Sequence, residues 1–336
     1  MMKKNSNQIL VINSLRGLAA LAVCLYHFVF TTTGFIYNET ILEIFHFGQR
    51  GVQLFFIISG IVIPLSMLKS EYKIKLMGKY LLKRFIRIEP PYLVAVAIGI
   101  LYLYARNFVP SAAAIDMTPS LKDILLHIGY LVPFVEDAKW INPVFWTLSI
   151  EFQYYIFLAL LFPLALSKKN ILNWIFNLIV VILPFFMDSM NFYIHWSAYF
   201  GLGIFYALYI SGKYNKWNFM ITMLLCSIVV YIEQGIIDLF IAFATLGIIH
   251  YFPKFKTKAG LFLGKISYSL YLLHSIIGSA FINFMSHRVS SPEGKFIIIL
   301  LGTIISIVSA YFFWKLIEKP SQLRAHKIQI KEVNKT

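Results

Sequence analysis

Two ionisable residues interrupt the first long apolar run of the chain, which extends from Ile9 to Phe30. Arg16 and His27 are eleven positions apart, so at about 100° and 1.5 Å per residue they share one helix face, roughly 16 Å apart. Imidazole accepts a proton near neutral pH, and guanidinium binds anions. The pair could therefore support acid–base chemistry on an anionic substrate. Alternatively, Arg16 extends to the membrane surface and His27 only packs there.

A lone carboxylate, Glu151, lies in another apolar run at 143–166, close to the run's start. A buried carboxylate without a partner takes up a proton, so Glu151 is expected to pair with a histidine or an arginine of a different helix. His27 lies at a similar depth from the same predicted membrane face. The sequence therefore predicts that Glu151 and His27 belong to one site.

Two arginines, Arg84 and Arg87, precede the third apolar run and are three residues apart, hence on one helical face. Two guanidinium groups that point the same way suit a phosphate-bearing ligand. The alternative is that they bind lipid phosphates at the membrane surface. The spacing does not decide between these two interpretations.

A polar stripe runs along the ninth apolar segment at helical spacing, and it comprises Ser267, Tyr268, Tyr271, His274 and Ser275. His195 lies in the sixth segment. Hydrogen bonds between packed helices explain such groups as well as catalysis does. The two cysteines, Cys24 and Cys226, are expected to be buried apolar residues, and no metal site is predicted. Motifs for nucleotide hydrolysis, zinc binding or a serine nucleophile are absent from the sequence.

The elements that hold these residues are predicted to be membrane-spanning helices. Of the 336 residues, 59% are hydrophobic and 13% are charged, with a mean hydropathy of +0.73, whereas soluble domains carry about 25% charged residues. Several runs reach the ~20 residues that cross a bilayer as a helix. The fold class is predicted to be all-α, with about ten transmembrane helices near 9–30, 47–68, 88–107, 143–166, 171–188, 192–211, 217–233, 235–252, 261–286 and 295–317.

The charge distribution orients this bundle. With both termini in the cytoplasm, the cytoplasmic segments contain 22 of the 30 lysines and arginines, and the outer segments contain ten of the 15 acids. The net charge of +15 is therefore expected to face lipid headgroups and cytoplasmic anions, not nucleic acid. Residues 1–336 are predicted to form a single domain with a core at 9–320 and a cytoplasmic tail at 321–336.

Two connections carry further expectations. The basic segment from Lys69 to Arg87 is predicted to lie along the membrane surface, and the pair Pro90-Pro91 to begin the third span. In the outer connection, the apolar stretch from Leu121 to Pro133 is too short to cross the membrane. It is expected to lie on, or dip into, the outer face.

Six segments together resemble the acyltransferase-3 family of integral membrane acyltransferases, many of which O-acetylate glycans. They follow in order from residue 13 to 320: Asn13 to Ala20 with Tyr26-His27-Phe28, Gly51 to Gly60, Arg84 to Pro90, Trp146 to Glu151, Leu263 to His274, and Ile317 to Pro320. The chain departs from the family at Asn13, where many members carry Asp, and at Glu89, which replaces an apolar or aromatic residue.

The resemblance implies a multi-pass protein of the cell's cytoplasmic (inner) membrane that takes an acyl group from acetyl-CoA. The acceptor is expected to be a glycan hydroxyl, and acetyl-CoA is a substrate, with no permanently bound cofactor. The resemblance also marks His27 as the catalytic residue and Arg16, Arg84 and Arg87 as donor-binding residues. Membrane lipids, and a second copy of the chain in a homo-oligomer, are the other expected partners.

These expectations combine into one mechanism, in which His27 removes the proton of the acceptor hydroxyl and Glu151 orients the imidazole. The remaining predicted pocket residues are Asn13, Trp146, Ser149, Tyr271 and His274, with Ser149 and Trp146 as candidates for oxyanion stabilisation. Two other classes are considered. A secondary transporter would also bury such charges but should show internal pseudo-symmetry, which the sequence lacks, and a membrane scaffold would have no chemistry.

Overall fold

The computed structural model describes residues 9–30, 35–108 and 117–330, and all regular structure within these ranges is helical. The predicted all-α class is confirmed. The helices are α1 (Val11–Phe30), α2 (Glu39–His46), α3 (Gly51–Lys69), α4 (Met77–Arg106), α5 (Leu121–His127), α6 (Trp146–Ala165), α7 (Asn170–Ile182), α8 (Tyr193–Ile210), α9 (Lys216–Gln234), α10 (Ile236–Tyr251), α11 (Lys258–Leu273), α12 (Ser279–Ser286), α13 (Pro292–Phe313) and α14 (Lys319–Lys327).

Each of the ten predicted spans coincides with a helix. Among the described residues, seven helices are long and apolar enough to cross a membrane, and the apolar helices at Asn170–Phe186 and Ile236–Tyr251 are shorter. The remaining predicted span, α8, has few exposed residues, because other helices surround it. The chain is therefore a multi-pass membrane protein.

Pairs of glycines let the helices around the site approach closely. A Cβ atom on Gly60 of α3 would overlap the carbonyl oxygen of Phe200 on α8, and one on Gly17 of α1 would overlap the backbone at Gly264 on α11. Small residues at such crossings allow helix backbones to touch in a bilayer, where dispersion contacts drive association. The α1–α11 crossing brings the face of α1 that carries Arg16 against α11.

The third predicted span begins in the wrong place. Helix α4 starts at Met77 and continues through Pro90 and Pro91 to Arg106, so the predicted surface segment is largely the first half of a long helix. Prolines are tolerated inside membrane helices because neighbouring groups can satisfy the backbone that they leave unpaired. The two prolines leave the carbonyls of Ile86 and Arg87 without an intrahelical donor. At the adjacent carbonyl, that of Ile88, the hydroxyl of Tyr268 on α11 donates at 2.9 Å and joins α4 to α11.

Two predicted continuous spans contain a π-helical turn. Residues His274–Gly278 join α11 to α12, and Trp314–Glu318 join α13 to α14. A π-turn adds one residue to the turn and rotates the following side chains, and such turns are frequent at functional sites.

The segment predicted as a cytoplasmic tail begins as α14, which packs against α4. Lys83 Nζ donates to the carbonyl oxygen of Ile328, at 3.0 Å. Residues 331–336 of that predicted tail, like the basic Lys3 and Lys4 at the other terminus, lie outside the described residues.

The outer connection dips into the bundle, in agreement with one of its two predicted placements. After α5, the backbone N–H of Gly129 reaches the carboxylate of Glu89 inside α4, at 3.5 Å. The buried ring of Tyr130 stacks on Tyr92, with 4.6 Å between centroids, and on Phe152, at 5.1 Å. The segment at 121–134, which we call the outer hairpin, therefore closes one side of the bundle next to α6.

Candidate active site

A cavity, which we call the upper cavity, lies between the helices of the bundle and has four charged residues in its wall. Arg16 comes from α1, Arg87 from α4, Glu151 from α6 and Glu318 from the π-turn after α13. The other lining residues are mainly apolar or hydroxyl-bearing: Val52, Phe55, Phe56, Ile58, Ser59, Val62, Ile63, Ile88, Thr147, Leu148, Tyr155, Ser267, Tyr268 and Tyr271, with Gln322. The structure thus brings together residues that the sequence places on separate helices.

A second cavity adjoins the upper cavity and shares Arg16, Arg87, Glu318 and Gln322 with it. Its remaining wall is basic and lies at the predicted cytoplasmic end: Asn13, Lys83, Arg84, Leu261, Gly264, Lys265, Trp314, Ala325 and His326. All the predicted donor-binding arginines, and Asn13, therefore line this entrance, which we call the basic mouth.

The three arginines of the basic mouth form no salt bridge with any described residue, although Glu151 and Glu318 line the same cavities. Across residues 9–30, 35–108 and 117–330, no carboxylate oxygen lies within 4.0 Å of Arg16, Arg84 or Arg87. Arg84 is 3% exposed, and its Nε and Nη2 atoms have no hydrogen-bond partner. Its guanidinium group instead lies over the rings of Tyr80 and Tyr155, 5.4 and 5.6 Å from their centroids. Buried guanidinium donors without acceptors are costly unless an anion binds them.

Glu318 is the site residue that our sequence reasoning missed. It lines both cavities and is buried. Its Oε2 accepts a hydrogen bond from Ser269 Oγ at 2.5 Å, and its Oε1 accepts one from Gln322 Nε2 at 2.7 Å. The sequence showed only an acid near a proline at the end of the last span, because a π-turn that directs the acid inward has no sequence signature.

Glu151 lines the upper cavity, as its predicted role requires, but its hydrogen-bond partners are other than predicted. Its Oε1 accepts from the Tyr155 hydroxyl at 2.5 Å and from Ser59 Oγ at 3.5 Å. Both donors are neutral. The sequence predicted His27 as the partner of Glu151. In the structure Glu151 instead contacts Tyr155, one turn along α6, and Ser59 of α3.

His27, the predicted catalytic residue, lines neither cavity and faces His274. The two imidazole centroids are 5.2 Å apart, with 43° between the ring planes. The ring of Tyr271, which lines the cavity, is 5.9 Å from that of His274. Tyr271, His274 and His27 thus form a series of rings that leads from the cavity to the outer end of α1.

The other predicted pocket residues differ in their placement. Tyr271 lies in the cavity wall, where its Oη is 2.9 Å from Oγ1 of Thr147, a residue that the sequence analysis did not single out. By contrast, Ser149 donates to the carbonyl of Tyr130, at 3.2 Å, and the Trp146 ring packs on Trp196, at 5.8 Å. Ser149, Trp146 and the predicted pocket residue His274 line neither cavity.

His195 and the two cysteines lie outside the site. The imidazole Nε2 of His195 is 3.2 Å from Gln234 Nε2, on the neighbouring helix α9. Both cysteines, Cys24 and Cys226, are buried and unpaired, as predicted. No cluster of metal-ligating side chains occurs in the described part of the chain.

The chain was compared with known proteins. A family profile described as "Acyltransferase domain", that of the acyltransferase-3 family, matches residues 9–315. A candidate acetyltransferase of Acidianus two-tailed virus is 27% identical over 291 residues, which cover 79% of this chain and 82% of the relative. A candidate O-acetyltransferase of Staphylococcus aureus strain COL is 26% identical, over 92% of this chain and 56% of the relative. The chain thus spans little more than half of that relative. No solved structure matches the chain significantly.

Proposed function

Because the chain belongs to the acyltransferase-3 family and is an acyltransferase, we propose that it moves an acetyl group from cytoplasmic acetyl-CoA to a hydroxyl of a cell-envelope or surface glycan. In this proposal it works in the cytoplasmic membrane, with the basic mouth toward the cytoplasm. One observation carries the proposal: unpaired guanidinium groups line the entrance to a cavity that leads toward a carboxylate and two imidazoles.

The donor's phosphates account for the unpaired arginines. Coenzyme A bears a diphosphate and a ribose phosphate, and guanidinium groups form charge-assisted, often bidentate hydrogen bonds with such groups. Arg84 has two donors without an acceptor, and Arg87 is within electrostatic range of both Arg16 and Arg84. A bound polyphosphate would offset the mutual repulsion of the three cations. Lipid phosphates, the alternative partners, would have to leave the bilayer surface to reach a side chain that is 3% exposed.

The upper cavity fits the donor's thioester arm. Its wall combines aliphatic and aromatic side chains with a few hydroxyl groups, and the pantetheine arm of the donor has a similar mixture of methylene and amide groups. Arg16 and His27 are roughly 16 Å apart along α1, by the rise of about 1.5 Å per residue. An extended arm covers that distance, so the thioester would be carried from the basic mouth toward His27.

We assign the proton transfer to His27. The imidazole removes the proton of the acceptor hydroxyl as its oxygen bonds to the thioester carbon, and the carbon–sulfur bond then breaks. The proton passes to the departing thiolate, so the enzyme ends the cycle unchanged. The hydroxyl groups of Thr147 and Tyr271, adjacent in the cavity wall, are placed better than Ser149 or Trp146 to donate to the oxyanion. Glu151 would balance the guanidinium charges of the cavity.

The decisive experiment is an acyl-transfer assay on purified protein in lipid nanodiscs. Acetyl-CoA with a labelled acetyl group is supplied with a panel of glycans and lipid-linked sugars, and both thioester loss and label on the glycan are measured. We expect loss of acetyl-CoA to depend on the acceptor. Label that moves to lipid, protein or water regardless of the glycan would contradict the assigned acceptor class.

A vesicle version of the assay tests the two-sided arrangement. Protein is reconstituted in one orientation, with acetyl-CoA added only on the side of the basic mouth. We expect acetyl groups to appear on an acceptor confined to the opposite side. Transfer that occurs only when donor and acceptor share a side would contradict passage through the bundle. A matched His195→Asn variant, altered in a buried histidine outside the cavities, controls for the effect of losing an imidazole.

A further inference from the structure

His274 begins one of the two π-helical turns and is completely buried. It lies between the cavity and α1, with Tyr271 on one side and His27 on the other. The rings of His27 and Phe28 are the neighbours that α1 provides, and the Phe28 centroid is the more distant of the two, at 6.4 Å. A buried imidazole in this position is either a packing group or part of the chemistry.

The hydrogen bonds of His274 determine which of its nitrogens carries the proton. Nδ1 lies 3.1 Å from the carbonyl oxygen of Leu270 and 2.9 Å from that of Tyr271. Carbonyl oxygens only accept, so Nδ1 must be the donor. In the neutral ring, Nε2 then holds the lone pair.

Nε2 of His274 is the atom left to interact with the site. It is buried and has no hydrogen-bond partner. The two nitrogens of an imidazole point in divergent directions, so Nε2 is turned away from the carbonyls of α11 that Nδ1 contacts. The π-turn packs closely on α1, since a Cβ on Gly278 would overlap the ring of Phe28. A buried acceptor without a donor is unfavourable, and it is expected to have a partner in the working enzyme.

We propose that His274 is a positioning residue whose Nε2 accepts a hydrogen bond from the imidazole N–H of His27. The separation of 5.2 Å between centroids matches a nitrogen–nitrogen hydrogen bond of about 2.9 Å plus the distance from each centroid to its ring nitrogen. The two rings are therefore at the separation that such a bond requires.

The consequence, which rests on the proposed function, is that His27 is held in one tautomer. One ring nitrogen of His27, called the first, keeps a hydrogen that is directed at Nε2 of His274. The other ring nitrogen of His27, the second, presents its lone pair to the acceptor hydroxyl. When the second nitrogen takes up the proton, both nitrogens bear hydrogen and the charge is shared with the His274 lone pair. Histidine bases are usually oriented by a carboxylate or a carbonyl. Here a neutral imidazole would take the place expected for Glu151, whose carboxylate contacts Tyr155 and Ser59.

Two substitutions at His274 separate positioning from packing. His274→Leu keeps the volume but removes the acceptor, whereas His274→Gln places an oxygen near the position of Nε2. We expect kcat of the Leu variant to fall by about 10–100-fold, the range for loss of an orienting partner, with KM for acetyl-CoA unchanged. The Gln variant should recover most of that loss. Wild-type kcat in the Leu variant would overturn the proposal, and so would a Gln variant no faster than the Leu variant.

A second measurement does not depend on turnover. Nitrogen spectra of the protein labelled with ¹⁵N-histidine distinguish the two neutral tautomers. We expect one signal pair from an Nδ1-protonated imidazole that disappears in His274→Gln, together with a shift of the His27 signals. A His274 protonated on Nε2 would overturn the proposal. If the wild-type protein transfers no acetyl group, the proposed function fails, while these spectra still decide whether the two imidazoles are hydrogen-bonded.

Discussion

Two arginines, the half-buried Arg50 and the buried Arg84, lie at opposite predicted ends of the bundle and differ in how their charge is compensated. Arg50, at the start of α3, donates from Nε to Asp238 at 2.9 Å, and Gln53 donates to the same carboxylate at 3.3 Å. Arg84, inside α4, has no carboxylate within 4.0 Å, and two of its nitrogens have no partner. Both residues adjoin or lie within a membrane helix, yet only Arg50 has a carboxylate partner within the protein.

This difference shows what distinguishes a site from a structural charge in a membrane protein. A charge in a membrane helix is unusual in either case, so its presence alone does not indicate function. Arg50 and Asp238 lie at the starts of α3 and α10, which the predicted topology places on the same outer face, and their pair joins the two helices. Arg84 remains able to bind an anion. Unsatisfied donors, and not the charge itself, mark the basic mouth.

The largest expected effect is the loss of acyl transfer when His27, the assigned base, is replaced. His27→Ala and His27→Gln should each lower acyl transfer by about 10²–10⁴-fold, the usual contribution of a general base, while expression and thermal unfolding stay near those of the wild type. Initial rates of label transfer and a thermal unfolding assay check both expectations. Full activity in both variants would exclude His27 as the base.

Replacing Arg50, the arginine paired with Asp238, should lower stability and leave donor binding unchanged. Arg50→Ala leaves the Asp238 carboxylate buried without its cation, and breaking such a pair costs about 3–5 kcal/mol of stability. We expect a lower unfolding temperature but an unchanged KM for acetyl-CoA in the protein that remains folded. The double variant Arg50→Leu with Asp238→Leu should recover most of the stability. A raised KM in Arg50→Ala would mean that the two arginines do not differ in the way proposed.

The arginines of the basic mouth provide the matching test. Arg84→Ala combined with Arg87→Ala removes charge-assisted hydrogen bonds worth about 1.5–3 kcal/mol each, so KM for acetyl-CoA should rise by at least about tenfold. Thermal stability should fall less than in Arg50→Ala, because no carboxylate loses its partner and only the contacts of Arg84 with the rings of Tyr80 and Tyr155 are lost. The paired variant Lys168→Ala with Lys169→Ala, on the same predicted face but outside the cavities, controls for general electrostatic attraction. Unchanged donor affinity would leave Arg84 and Arg87 as lipid-binding residues.

A smaller, pH-dependent effect is expected in the outer hairpin. Burial lowers the pKa of His127 from its usual 6.5, against a smaller opposing effect of Asp123. Burial alone would raise the pKa of Asp123, but hydrogen bonds from Ser120 Oγ, at 2.6 Å, and from the N–H of Lys139, at 2.8 Å, bring it below 3.8. Both groups bind protons more tightly when the hairpin is unfolded, so its stability must fall as the pH falls.

The loss of hairpin stability should begin below about pH 6.5, where His127 takes up a proton in the unfolded hairpin. It should increase below about pH 4, where Asp123 does so. Hydrogen exchange of the backbone amides in the hairpin, compared between neutral and acidic pH, measures it. In His127→Gln the decrease between pH 7 and 5 should disappear, while the decrease at lower pH remains. Equal protection at pH 7 and 5 in the wild type would contradict the assignment.

The smallest effect is expected for Ser149. Its hydroxyl donates to the carbonyl of Tyr130 and lies outside both cavities, so Ser149→Ala should cost about 1 kcal/mol of stability with less than about a threefold change in kcat. Thr147→Val, which removes a hydroxyl from the cavity wall, is the matched comparison and should lower kcat more. A larger loss of kcat in Ser149→Ala would restore Ser149 as an oxyanion donor.

Much of this architecture could be predicted from the sequence. Apolar runs of spanning length predict helices because a bilayer leaves the backbone no other way to satisfy its polar groups. The spacing of Arg84 and Arg87 placed both on one face of α4, and both line the basic mouth. The start of α4 was predicted wrongly, because prolines usually begin helices in water but are tolerated within a packed membrane helix.

The sequence by itself determined which ionisable side chains enter the membrane, which share a helix face, and to which family the chain belongs. The tertiary structure alone decided which of them meet: it paired Arg50 with Asp238, directed Glu318 into both cavities, turned Ser149 toward the hairpin and brought His274 next to His27. The physical reason is that spacing along one helix fixes only relative directions on that helix. Contacts between helices depend on how each is rotated against its neighbours, and here glycine crossings and two π-turns set that rotation.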